Sequence, residues 1–104
     1  MQSASKLGVV AILAAASLWC AAAHAQNPTY VRGMAAICAN CHGTDGRSVA
    51  SVPGLAGADK GYMVQQMQDF KAGKRPATIM HQLAKGYTDA QIEQLAAYFA
   101  AQKK

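Results

Sequence analysis

The chain is 104 residues long, which is the length of a single domain. Ten basic and five acidic residues give a formal net charge of +5, but no basic run carries interleaved aromatic residues, so nucleic-acid binding is not expected. No stretch alternates apolar and polar residues with a period of two, which argues against a β-sheet.

The first quarter of the chain indicates a secretory signal peptide. Lys6 places a positive charge near the start, residues 7–22 are apolar and rich in alanine, and Ala23-His24-Ala25 supplies small residues for a signal peptidase. The apolar run is too short for a convincing membrane anchor, and an uncleaved anchor is the alternative. We therefore predict a signal peptide over 1–25, export to the periplasm, and a mature domain over 26–104 with no stable membrane insertion.

The first predicted helix leads into a pair of cysteines. From Tyr30 the apolar residues recur at helical spacing, and the helix runs into Cys38-Ala39-Asn40-Cys41-His42. Two thiols three positions apart share one helix face, where they can bond to the vinyl groups of one haem while the next imidazole binds iron. We predict one covalently attached haem c on Cys38 and Cys41, with His42 as an axial ligand. The alternatives are a disulfide between the two cysteines and a zinc site, for which the mature chain offers no third thiolate.

A glycine-rich turn follows His42, and the next loop contains Pro53 and Leu55. A metal-bound histidine usually donates its second ring N–H to a carbonyl or carboxylate, and the Pro53 carbonyl is a candidate acceptor for His42. Leu55 is expected on the haem face. An ordinary turn at this place is the alternative interpretation.

Asp59 can cap a second helix, in which Met63 and Met67 belong to an apolar face and are expected in the core. Gly73 is expected to end this helix. Tyr62 and Arg75 are hypothetical contacts to the haem propionates, since an arginine can bind a carboxylate with two parallel hydrogen bonds. The alternative is that Arg75 is merely exposed.

The last third of the chain contains a connecting segment and a final helix. One helical turn is expected between Thr78 and Lys85, after which Thr88 and Gln91 form a capping-box start for a helix that runs to about Gln102. Met80 in the connecting segment is far enough from the cysteines to reach the opposite haem face. The adjacent His81 is an alternative sixth ligand on spacing alone.

These features together resemble the class I bacterial cytochromes c over residues 30–102. More narrowly, three segments are similar to the haem subunit of flavocytochrome c sulfide dehydrogenase: Ala77-Thr78-Ile79-Met80, Ala84-Lys85-Gly86-Tyr87-Thr88 and Leu95-Ala96-Ala97-Tyr98-Phe99. The resemblance implies an all-α fold of three to five helices packed around one covalently attached haem. It also implies that Met80 is the second axial ligand and that the first helix crosses the last near Leu95 and Tyr98.

The resemblance further implies one-electron transfer, with this chain as the electron-accepting haem subunit of a flavin-containing sulfide dehydrogenase. The single haem motif indicates a one-haem version of that subunit. The chain has no flavin or dinucleotide-binding motif, so no catalysis is expected from it alone. The alternatives are a free-standing periplasmic electron carrier, and a haem peroxidase or gas sensor with a labile sixth ligand. Basic residues in the second half could form a positive rim for a redox partner.

Overall fold

The computed structural model describes residues 27–104, and the signal peptide predicted over 1–25 lies outside them. In chain order they form α1 (Pro28–His42), a 3₁₀ turn (Thr44–Gly46), α2 (Lys60–Lys71), α3 (Met80–Lys85) and α4 (Asp89–Ala100). No strand occurs within this range, and the predicted all-α fold is confirmed.

Helix α1 begins at Pro28, two residues earlier than the apolar spacing from Tyr30 suggests. Asn27 is the N-cap, and its side-chain oxygen accepts the Thr29 N–H at 3.0 Å. Pro28 takes the first helical position, where its missing N–H costs nothing and its fixed backbone angle already suits a helix.

The starts of α2 and α4 follow the predicted caps. The Asp59 carboxylate accepts the Tyr62 N–H at 2.7 Å before α2, and Gly73, with φ of +71°, follows its end. At α4 the Thr88 hydroxyl accepts the Gln91 N–H at 3.1 Å, while the Gln91 side chain accepts the Thr88 N–H at 2.9 Å. Side chains therefore satisfy N–H groups that have no partner within either helix.

The core lies where α1 crosses α4, with one contribution from α2. Its buried members are apolar: Val31, Met34, Ala35, Met63, Leu95, Ala96 and Phe99. Tyr98 packs beside this cluster, with its ring edge-on to Phe99 at a centroid distance of 5.2 Å. The expected crossing of the first and last helices near Leu95 and Tyr98 is confirmed.

A helix that spans a membrane is long and predominantly apolar. Of the helices between residues 27 and 104, none has the length and apolar character to span a bilayer.

Candidate haem site

The last turns of α1 carry both thiols of the cysteine pair. Cys38 is half-buried against the core, and its sulfur lies 3.9 Å from the Met34 carbonyl oxygen. Cys41 is exposed, and no disulfide joins it to Cys38. Residues three apart on a helix lie on the same face, so the two sulfurs can serve one ligand.

Burial affects the chemistry of the first thiol. Removal from water raises the pKa of Cys38 above its ordinary value, because a thiolate is poorly stabilised there. The Cys38 sulfur is therefore a neutral thiol near pH 7. A reactive cysteine nucleophile instead requires a lowered pKa, which Cys38 does not show.

The His42 ring is oriented by the proline loop. Its Nδ1 lies 2.6 Å from the Pro53 carbonyl oxygen, which is the acceptor that the sequence analysis expected. A carbonyl oxygen can only accept, so Nδ1 carries the hydrogen and donates. The Nε2 lone pair is then available to bind a metal.

The proline loop is itself held against the turn that follows His42. Gly43 ends α1 with φ of +84°, and Gly46 has φ of +79°. The Gly46 carbonyl accepts the N–H groups of Leu55 at 2.8 Å and Ala56 at 3.1 Å. A Cβ on Gly46 would lie 2.8 Å from the Ala56 nitrogen and 2.9 Å from the Phe99 ring, so only glycine fits this approach.

Met80 and His81 begin α3. Both side chains are half-buried, and Nδ1 of His81 is buried with no hydrogen-bond partner in the described part of the chain. The preceding Ile79 offers no side-chain hydrogen bond to cap this helix. Leu83 lies one turn after Met80, so the two side chains share a face of α3.

Apolar side chains that the protein leaves uncovered stand beside the candidate ligands. Ile37, next to Cys38, is 60% exposed; Ile79, next to Met80, is 53% exposed; and Leu83 is 45% exposed. Large aliphatic side chains adjacent to a cysteine pair and a methionine suit a flat apolar macrocycle. This donor set, with the oriented imidazole, fits a haem group.

The remaining predicted contacts are placed as follows. Leu55 is half-buried and packs against the core cluster. Tyr62 is exposed in the first turn of α2. The Arg75 guanidinium donates to the side-chain oxygen of Gln66 and lies 4.7 Å from the centre of the Phe70 ring. The intramolecular partners of Arg75 were not expected from the sequence.

A polar network that the sequence analysis missed connects the turn after His42 to the end of the chain. Tyr98 donates to Asp45 at 2.7 Å, and this bond raises the pKa of the Tyr98 hydroxyl. Arg47 donates to Asp45 at 3.2 Å and to the Lys103 carbonyl at 3.2 Å. Asp45 has φ of +52°, a conformation that the aspartate at the centre of the glycine-rich turn could have suggested.

The basic residues of the second half divide into two groups. Lys60 pairs with Glu93 at 3.0 Å, and Lys71 donates to the Tyr87 carbonyl at 2.6 Å. Exposed lysines without an ion pair among the described residues are Lys74, Lys85, Lys103 and Lys104. Two of them, Lys74 and Lys85, lie on either side of Met80 in the chain.

Comparison with known proteins yields one family. The sequence model described as Cytochrome c matches residues 32–103. The cytochrome subunit of sulfide dehydrogenase from Chlorobaculum tepidum is 45% identical over 62 residues, which cover 60% of this chain and 56% of that protein. Cytochrome c4 from Pseudomonas aeruginosa is 46% identical over 70 residues, which cover 66% of this chain and 35% of that protein.

Solved structures give the same result for the fold. The crystal structure of reduced recombinant cytochrome c4 from Pseudomonas stutzeri superposes with a TM-score of 0.67 at 36% identity, covering 76% of this chain and 47% of that one. The chain thus spans about a third to about a half of the length of these relatives.

Proposed function

The chain belongs to the cytochrome c family, which implies a covalently bound haem c, and on that premise we propose how its residues hold the group and which partner it serves. It is a c-type cytochrome, an electron carrier. When bound, the haem iron supplies a one-electron couple between the ferric and ferrous states. In our proposal Cys38 and Cys41 form the covalent links, and His42 and Met80 are the axial ligands.

The hydrogen bond between His42 and Pro53 is the observation that best supports this assignment. It fixes the tautomer, holds the ring plane, and increases the electron-donating strength of Nε2. A proline carbonyl at this place accepts without offering a competing N–H. The protein thereby prepares one strong imidazole ligand before any metal is bound.

A methionine on the opposite side favours electron transfer over binding of small molecules. A protein ligand closes the sixth position, and a thioether stabilises ferrous iron relative to a second imidazole. Met80 is supported because Ile79, next to it in the chain, and Leu83, one helical turn later, both leave apolar surface uncovered. Met34 and Met63, in contrast, are buried in the helix core.

Spectroscopy of two methionine variants tests the ligand assignment. Met80→Ala should abolish the sulfur-to-iron charge-transfer band at the red end of the ferric spectrum. Met67→Ala is the matched control, since Met67 is a half-buried methionine of α2, and it should retain the band. A band that survives Met80→Ala, or disappears in Met67→Ala, would contradict the assignment.

For the partner, we propose the electron-accepting haem subunit of a flavin-containing sulfide dehydrogenase, acting after export to the periplasm. The support is the 45% identity to the cytochrome subunit of sulfide dehydrogenase, together with the three segments singled out in the sequence. Lys74 and Lys85 are exposed and lie on either side of Met80 in the chain. Their positive charges suit docking to an acidic surface of the partner.

A free-standing carrier is the second candidate, and the similarity to cytochromes c4 favours it. Native purification distinguishes the two. Copurifying flavin and sulfide-dependent haem reduction support the subunit, and their absence from a purified monomer supports the carrier. Lys74→Glu combined with Lys85→Glu should slow sulfide-dependent reduction at low ionic strength, whereas the control Lys60→Glu, at the pair with Glu93, should do so less.

A further inference from the structure

His81 lies next to the proposed sixth ligand and has an unusual environment. Its Nδ1 is buried without a hydrogen-bond partner among residues 27–104. Buried polar side-chain atoms normally have a partner, and an orphaned one calls for an explanation such as a metal or ligand that it can reach. Imidazole nitrogen is also a common haem ligand.

Few hydrogen bonds hold the segment that leads into Met80. Within the described residues, no backbone hydrogen bond involves residues 76–78. Helix α3 has only six residues, and Ile79 at its start, with φ of −136° and ψ of −28°, gives it no side-chain cap. The Cα atoms of the two neighbours are about 3.8 Å apart. Replacing one ligand by the other therefore requires a shift of about this size and a rotation of the short helix by about 100°.

We propose that His81 is a reserve axial ligand, which binds the iron when the sulfur of Met80 is lost from it. The inference rests on the proposed Met80 ligation. In the exchange the iron–sulfur bond breaks and an iron–nitrogen bond to the neutral imidazole forms, so no electron is transferred. The sixth position then stays closed to external ligands, and two imidazoles lower the reduction potential relative to histidine with methionine.

Four forms of the haem-loaded protein test this: wild type, Met80→Ala, His81→Ala and the double variant. Met80→Ala should lack the sulfur-to-iron band and yet remain six-coordinate and low-spin, with the electron paramagnetic resonance signature of two histidines. The double variant should be high-spin in the ferric state and should bind carbon monoxide readily when reduced. His81→Ala alone should keep the sulfur-to-iron band and so control for folding.

Three results would overturn the inference. Met80→Ala could be as high-spin and as reactive toward carbon monoxide as the double variant, so that no reserve ligand exists. The double variant could stay low-spin, so that another side chain takes the position. Wild type could lack the sulfur-to-iron band while His81→Ala becomes high-spin; this result would make His81 the principal ligand and would refute the Met80 assignment as well.

Discussion

Two regions of this small domain are packed in different ways. In the packed half, α1, α2 and α4 bury one another's apolar side chains, and Phe99 is only 3% exposed. In the open half, residues 72–85, Ala84 is fully buried but Ile79 and Leu83 keep about half of their surface exposed. The difference indicates that protein contacts bury most of the apolar surface of the packed half, whereas the open half leaves more of its apolar surface for the cofactor to cover.

The largest expected effect follows from removing the covalent links. Cys38→Ala combined with Cys41→Ala should leave a chain that loses most of its helical circular dichroism, because a core of this size rarely sustains a domain without a cofactor. The haem-loaded wild-type protein is the reference. Full native helicity in the variant would show that the packed half is self-sufficient.

A large effect is also expected within the packed half. Phe99→Ala should lower the free energy of unfolding of the haem-loaded protein by about 3–5 kcal/mol, because it opens a cavity between α1 and α4. Denaturant titration measures this. Phe70→Ala is the comparison, since that ring is half-buried beneath Arg75 and should cost less. Equal losses for the two rings would argue against a core centred on the helix crossing.

Truncating an apolar side chain of the open half should destabilise the haem-loaded protein. Leu83→Ala should destabilise the haem-loaded protein by about 1–2 kcal/mol if the cofactor covers this side chain. Val49, which is fully exposed at 103%, is the control, and Val49→Ala should change stability by no more than about 0.5 kcal/mol. Identical, near-zero effects in the two variants would remove the argument that haem covers the open half.

The smallest effect concerns pH. Hydrogen bonds from Gln68 and Lys71 lower the pKa of Asp89, so the folded protein binds a proton less readily than the unfolded chain. The corresponding stability is fully present above the ordinary aspartate pKa of about 3.9 and is lost as pH falls further. Asp89→Asn should weaken the dependence of the free energy of unfolding on pH in this acidic range, as measured by denaturant titration at a series of pH values. The same pH dependence in the variant and the wild type would show that Asp89 makes no contribution.

Local sequence signals predicted where the helices begin better than they predicted which residues contact one another. Asp59, Thr88 and Gln91 act on backbone groups within three residues, so sequence spacing is sufficient to find them. The end of α4 was predicted less closely: the helix ends at Ala100, two residues before the expected limit at about Gln102, and no glycine or proline marks the place. Helix ends fray, and their limits depend on the last hydrogen bonds.

Contacts between residues that are distant in sequence could not be predicted from such local signals. Arg75 was a hypothetical propionate contact from its sequence position, and in the structure its guanidinium contacts Gln66 and Phe70. The bond between Tyr98 and Asp45 joins residues 53 positions apart, and no local pattern indicates it. The cysteine pair and His42 could be identified because their chemistry requires particular residue types at particular spacings. Spacing alone left His81 as an alternative to Met80, and the family resemblance favoured Met80. Their assignment as haem ligands stays a proposal.

The attachment of the proline loop to α4 has a consequence for the order of assembly. Gly57 donates to the Phe99 carbonyl at 2.9 Å, and Gly46 approaches the Phe99 ring too closely for any other residue. During synthesis the cysteine pair precedes both of these anchors, and the helix that carries Phe99 is made long afterwards. The segment that carries the thiols therefore reaches its supported position only after α4 has been made and has packed against the loop.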